Sequence, residues 1–478
     1  MDIAQSVLDL IGRSPLVRLA RLSEDRGISC MLAMKMETSN PGGSAKDRAA
    51  LRMILAAEEA GLLRAGGTIV EPTSGNTGVG LAIVAAQRGY KCVFVVTDKV
   101  APEKIALLKA YGARVVVCSV ALPPDHPDSY YSTARRLVSE IPGAFRPNQY
   151  QNPANPLAHF ETTGPELWDQ TAGRITHLVA GAGTCGTLIG AARYLKQRNP
   201  TVQIVAADPT GSVYSGGSGR PYLVEGVGED FFPAAWDPSI IDQVIEISDA
   251  ESFHTARYVT RTEGVLIGGS GGLAVAAALR VAQSARPEDV IVVINPDSGR
   301  GYLSRVYSDD WLSNYGFLDD VEGPLVRDVV AHRGWGRSLI YVSPESTVRE
   351  AITLMERHGV SQLPVCKNEP PFATAEVCGS VDELSLMNAA RADISVLCSK
   401  VQDVMAANLP TIGSGQGIDH AVRTLETAAA LLVLDDGRPS AVLTRSDILG
   451  FFAIERHEVE MTTADVKILT SMSEDQFS

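Results

Sequence analysis

This 478-residue chain has little of what membranes, metals, disulfides or nucleic acids require. No apolar run approaches the ~20 residues of a bilayer-spanning helix. The N-terminus has no basic stretch followed by an apolar one, so an exported protein is not expected. Basic residues are outnumbered, 42 Lys and Arg against 56 Asp and Glu, giving a net charge of −14. Phosphate backbones demand a basic face, so a general nucleic-acid binder is excluded, and the acidity reads as solubility. The seven cysteines are odd in number and form no C-x-x-C pair. Free, mostly buried thiols in a reducing cytoplasm are the expectation. The eight histidines show neither H-x-x-x-H nor Cys/His spacing, so no metal site is expected.

Three loops carry the chemistry. Asn40-Pro41-Gly42-Gly43-Ser44-Ala45-Lys46 follows an apolar strand-like run, Cys30 to Met36. Thr73-Ser74-Gly75-Asn76-Thr77-Gly78 follows Thr68–Glu71. Gly181-Ala182-Gly183-Thr184-Cys185-Gly186-Thr187 follows Thr176–Ala180. A buried lysine can hold an aldehyde cofactor as a Schiff base. A Gly-rich turn opening a helix can cradle a phosphate with backbone N–H groups. Each signal alone is modest: a lysine in a Gly/Ser loop is commonly a surface residue, and Ser, Gly, Asn and Thr are common turn residues.

From Pro15 to Gly316, β-branched apolar runs alternate with helix-length amphipathic segments. The predicted strands include 68–71, 92–97, 114–118, 177–180, 202–207 and 290–295. Near-continuous apolar character suits strands buried on both faces of a parallel sheet. The alternation argues for an open doubly wound α/β architecture, with its ligand site at the carboxyl ends of strands. All three loops fall there. After Leu318 the acidic stretch 319–325 reads as a linker. The expected domains are residues 1–318, then 326–390 and 391–456, with a polar tail over 457–478.

The last two domains repeat each other loosely. Val326-Arg327-Asp328-Val329-Val330 matches Val401-Gln402-Asp403-Val404-Met405, Ser346–Ala351 matches Gly417–Ala421, Leu363–Val365 matches Leu432–Leu434, and Gly379–Leu384 matches Ala441–Ser446. Such periodicity marks a duplicated unit.

In this order, the three loops resemble pyridoxal-phosphate enzymes of fold type II, the cysteine synthase and cystathionine β-synthase family. The resemblance extends to Asn148–Pro153, Val224–Phe231 and Asn295–Tyr302. It implies two open doubly wound sheets and pyridoxal 5′-phosphate as cofactor. Lys46 would be the catalytic lysine that carries the cofactor and moves the substrate α-proton. Gly183, Thr184, Cys185, Gly186 and Thr187 would hold the phosphate, although glycine is usual where Cys185 stands. Backbone donation there survives the change only if φ is negative. Asn76 would bond the cofactor's 3′-oxygen, and Ser298 would face the ring nitrogen. A neutral hydroxyl leaves that nitrogen unprotonated, which favours β-elimination over transamination. Asp297 is adjacent, so a shift of one residue would reverse the argument. Thr73, Ser74, Thr77, Gln149 and Gly228 would contact substrate.

The duplicated unit resembles a tandem CBS (Bateman) module. Such a module implies an adenosine ligand, S-adenosylmethionine or an adenine nucleotide, at Thr444 and Asp447. Those two residues could equally do no more than cap a helix. The first repeat has Asp382 and Ser385 at the aligned positions, so one competent site is expected. Val224–Phe231 and Gly216–Tyr222 are similar to bacterial, haem-less cystathionine β-synthases. The implied reaction joins L-serine and L-homocysteine, in a homodimer or larger homo-oligomer. The alternatives are cysteine synthesis from O-acetylserine or O-phosphoserine and sulfide, and a nucleotide sensor with a degenerate catalytic domain.

Overall fold

The computed structural model describes residues 3–73, 75–98, 100, 102–119, 126–320, 323–332 and 339–453. The chain forms two compact units, Met1–Tyr307 and Ser308–Ser478.

Among the described residues the first unit has ten strands: β1 (Leu16–Arg18), β2 (Met31–Met36), β3 (Thr68–Pro72), β4 (Lys91–Thr97), β5 (Arg114–Cys118), β6 (Ala144–Phe145), β7 (His177–Gly181), β8 (Gln203–Pro209), β9 (Gln243–Ile247) and β10 (Val290–Asn295). They form a six-stranded sheet in the order β1-β2-β10-β7-β8-β9 and a four-stranded sheet in the order β5-β4-β3-β6. Every pairing is parallel except β1 with β2. Central strands are buried on both faces, as the apolar runs predict. All five residues of β3 are buried, as are the last five of β10.

Strand order decides which loops meet. β2, β10 and β7 are neighbours, so their carboxyl ends bring together the Lys46 loop, Pro296–Ser298 and the 182–187 loop. Bridging fixes the first two: Ser44 pairs with Asp297, and the Ala45 N–H donates to the Pro296 carbonyl at 2.9 Å. The helix Lys46–Glu59 is then anchored by buried charges. Arg48 Nε donates to Glu37 Oε2 at 2.7 Å, and Arg48 Nη1 to Glu166 Oε1 at 2.6 Å. Lys35, fully buried, also pairs with Glu166 at 2.6 Å. Removing one member of such a network leaves an uncompensated buried charge, at a cost of about 3–5 kcal/mol.

The second unit contains β11 (Gln362–Cys366), β12 (Val377–Asp382), β13 (Thr411–Gly413), β14 (Ala430–Asp435) and β15 (Arg438–Thr444). Its two halves share one plan. A short parallel element leads to a helix, then an antiparallel strand pair, then a second helix. In one half these are Val342 against Val365, the helix Val348–His358, β11–β12 and the helix Glu383–Ala392. In the other they are β13 against β14, the helix Ile418–Leu425, β14–β15 and helical residues 445–453. Thr347 and Gly417, aligned in the repeat, both cap helices. The matched pentapeptides are exchanged. Val326 and Val329 pack in the core of the second half, with Ile412, Ile418 and Val433, whereas Val401 packs in the first. At the start of the acidic stretch, Arg327 pairs with Asp319 at 2.8 Å, and Gly417 N donates to Asp320 Oδ2 at 2.6 Å. Among the described residues no helix is long and apolar enough to cross a membrane.

Candidate active site

Lys46 opens its helix, half-buried, with its backbone N–H donating to Ser44 Oγ at 3.2 Å. Burial pushes its ammonium below the usual lysine pKa, against the opposing pull of Asp297 and Glu229. Such a lysine is more readily neutral, which a nucleophilic amine requires. Glu229 is itself pushed up to about 7 by burial.

Asn76 opens the helix Asn76–Arg88 and donates through Nδ2 to Asp297 Oδ2 at 2.8 Å. Tyr302 O–H donates to the same oxygen at 2.6 Å. Burial raises the Asp297 pKa, while Tyr302 and Asn76 oppose the rise. Ser298, the residue expected at the ring nitrogen, is half-buried, and its Oγ accepts from Arg300 N at 3.3 Å. The Thr77 hydroxyl donates to Gln149 Oε1 at 2.7 Å. Gln149 is held by Glu71, a carboxylate that accepts from Asn148 N at 3.0 Å and Gln149 N at 3.1 Å. Thr73 is buried beside them, its Oγ1 accepting from Gly75 N at 3.4 Å. Ser74 lies outside the described residues.

The 182–187 loop runs into the helix Gly186–Arg198, whose first-turn N–H groups have no intrahelical acceptor. Gly228 N donates to Ala182 O at 2.6 Å, seating the 226–229 segment on this loop. Gly228 has φ +73°, and a Cβ there would strike Tyr222 and Pro209. Cys185 departs from the sequence expectation: its φ is +61° and its ψ 2°, the left-handed region, not a negative φ. The loop keeps a glycine-like shape with a cysteine in it, at a strain of about 1–2 kcal/mol. Cys185 is buried, its thiol donates to Gly183 O at 3.3 Å, and burial pushes its pKa up to about 12. A thiol held protonated in this way is no nucleophile at neutral pH.

These residues fit pyridoxal phosphate: a pKa-lowered amine, a helix N-terminus able to receive a dianion, and an amide on a fixed carboxylate partner. A model of the family described as pyridoxal-phosphate dependent enzymes matches residues 7–297, and the CBS domain model matches 326–389 and 401–454. Cystathionine beta-synthase of Apis mellifera is 37% identical over 455 residues, which cover 92% of this chain and 88% of that protein. The chain belongs to the cystathionine β-synthase family. The Saccharomyces cerevisiae member is 32% identical over 95% of this chain and 98% of its own length. Among solved structures, the O-acetylserine dependent cystathionine beta-synthase of Helicobacter pylori superimposes with a TM-score of 0.61 at 35% identity. It matches 64% of this chain and all of that one. The chain is thus a pyridoxal-phosphate-dependent β-replacement enzyme with a CBS pair.

The sequence does not reveal three supports of the site: Glu71 beneath Gln149, and Asn155 and His159 against Thr184 and Thr187 of the 182–187 loop. Only the last two left a local signal, an i,i+4 polar pair on an otherwise apolar helix face.

Close to the Tyr302 ring, Glu225 pairs with Lys104 and, at 2.6 Å, with Arg305. Lys104 Nζ lies 4.5 Å from the Tyr302 ring centroid. In the second unit, Thr444 donates through both N and Oγ1 to Asp447 Oδ2 at 2.6 Å. The first half inverts this pair: Asp382 caps its helix by accepting from Ser385 N at 2.8 Å.

Proposed function

We propose that the protein condenses L-serine with L-homocysteine to give L-cystathionine. The carrying observation is that cystathionine beta-synthases match the chain across both the catalytic region and the CBS pair. When bound, the cofactor supplies an electron-withdrawing ring that stabilises negative charge at the substrate α-carbon. Lys46 would hold the cofactor through its amine and then move the α-proton. Asn76 would bond the cofactor's 3′-oxygen, and Ser298 would leave the ring nitrogen without a proton. Thr73, Thr77, Gln149 and Gly228 would contact the substrate, with the Thr73 hydroxyl and the Gln149 amide N–H as donors to its carboxylate, Gln149 being oriented by the Thr77 hydroxyl. The Lys104–Glu225–Arg305 cluster supports an amino-acid thiol, because it offers partners for both an α-ammonium and an α-carboxylate, which sulfide does not need.

The second reading is cysteine synthesis from O-acetylserine and sulfide. It is favoured by the likeness to an O-acetylserine dependent relative. The test pairs serine or O-acetylserine with homocysteine or sulfide on purified protein. Turnover of serine with homocysteine at least tenfold above the other pairs supports the proposal. A preference for O-acetylserine with sulfide overturns it.

For the CBS pair the proposal is an adenosine ligand at Thr444 and Asp447, in a homo-oligomeric, cytoplasmic enzyme. All seven cysteines are free, which agrees with a reducing compartment.

A further inference from the structure

The helix Ala154–Glu161 lies directly behind the 182–187 loop. Asn155 and His159, four residues apart, share one face of it and are buried. The facing helix carries Gly186 and Gly190 at the same spacing. A Cβ at Gly186 would collide with the Asn155 amide, and one at Gly190 with Pro156 O and His159. Two glycines thus let two polar side chains reach the loop.

Asn155 Nδ2 donates to Gln149 O at 2.9 Å and to Thr184 Oγ1 at 3.1 Å. The Gln149 carbonyl fixes the amide's orientation, because a flipped amide would set oxygen against oxygen. Thr184 therefore receives a hydrogen bond, and its own O–H is left to donate elsewhere. His159 Nδ1 is 2.8 Å from Thr163 Oγ1, and Nε2 is 3.1 Å from Thr187 Oγ1. Burial, then the Arg48 cation, push the His159 pKa down to about 3, so the ring is neutral and has one N–H. With the proton on Nδ1, Nε2 consumes the Thr187 O–H, and Thr187 presents only lone pairs to an anion. With the proton on Nε2, Thr163 donates to Nδ1, His159 donates to Thr187, and the Thr187 O–H turns outward.

We infer that Asn155 and His159 are positioning residues that each donate to one lone pair of Thr184 and of Thr187, so that both hydroxyls are turned to donate to the cofactor phosphate. The inference rests on the reading of 183–187 as the phosphate loop. Anion binding selects the Nε2–H tautomer, and the chain Thr163–His159–Thr187 reorients without movement of heavy atoms.

The test uses full-length apoprotein and spectral titration with pyridoxal phosphate and with pyridoxal, which lacks the phosphate. His159→Phe and Asn155→Ala should each weaken pyridoxal-phosphate uptake roughly tenfold or more, the scale of a lost hydrogen bond to a charged group. Pyridoxal uptake should change less than about twofold on the same scale. His159→Gln, which restores an N–H donor, should recover most of the loss. Equal weakening of both ligands overturns the inference. If wild-type protein binds both ligands alike, the phosphate-loop reading itself fails. Should His159→Phe not fold, nitrogen NMR of wild-type protein decides: inorganic phosphate should convert His159 to the Nε2–H form. An Nδ1–H ring in the phosphate complex overturns the inference.

Discussion

Asn76 and Asp297 are 221 residues apart in the chain, yet the Asn76 amide donates to the Asp297 carboxylate at 2.8 Å. The bond joins the start of a helix from the four-stranded sheet to the loop after β10 of the six-stranded sheet. It also fixes the orientation of the Asn76 amide.

Asp297→Ala would orphan the half-buried amide donor of Asn76 and the buried hydroxyl of Tyr302. Denaturant unfolding of the apoprotein should show a loss of about 2–4 kcal/mol. Asp297→Asn keeps an acceptor and should lose less than half as much. Equal losses would show that the carboxylate charge, not its accepting oxygen, holds Asn76.

Borohydride reduction of the cofactor-loaded protein should fix the cofactor on the peptide that carries Lys46. Lys46→Ala should take up the cofactor reversibly and lose turnover by about a thousandfold or more, since both attachment and proton transfer go. Label on a different lysine would end the assignment.

Cys185 allows a backbone test free of side-chain chemistry. Cys185→Gly and Cys185→Ala both remove the thiol, but only glycine accepts φ +61° without strain. The glycine variant should be more stable than the alanine variant by about 1 kcal/mol, the reverse of their order inside an ordinary helix. An alanine variant of equal or greater stability would exclude the left-handed conformation.

Asp47, fully buried next to Lys46, has a pKa pushed up to about 7 by burial. A carboxyl whose folded pKa lies above its unfolded value of ~3.9 favours the folded state fully below pH ~3.9, and that advantage is lost as pH rises through ~7. Wild-type apoprotein should therefore lose thermal stability relative to Asp47→Asn between pH 4 and 8. Parallel pH profiles would show that Asp47 is ionised throughout.

Calorimetry on the full chain should detect S-adenosylmethionine or an adenine nucleotide, with one site per chain. Asp447→Ala should weaken binding by roughly tenfold or more, as expected for a lost charged acceptor. Binding that survives Asp447→Ala would leave the Thr444–Asp447 pair as a helix cap.

The sequence by itself determined the local features. β-branched runs gave strands at 68–72, 91–97, 114–118, 177–181, 203–209 and 290–295, and glycine-rich segments gave the turns at their carboxyl ends. These are properties of neighbouring residues, legible from propensity and period. The repeat was equally legible, because duplicated segments keep their caps and apolar spacing. Tertiary structure alone decided what depends on chain closure. It put β2 beside β10 and so Lys46 beside Asp297. It aimed Asn155 and His159 at two threonines, and it gave Cys185 a glycine's conformation. It also exchanged Val326 and Val401 between the halves of the CBS pair, which no alignment of the two pentapeptides contains. The physical reason is common to all four. Each is selected by burial and hydrogen-bond satisfaction among residues distant in sequence, and such partners exist only once the chain has closed on itself.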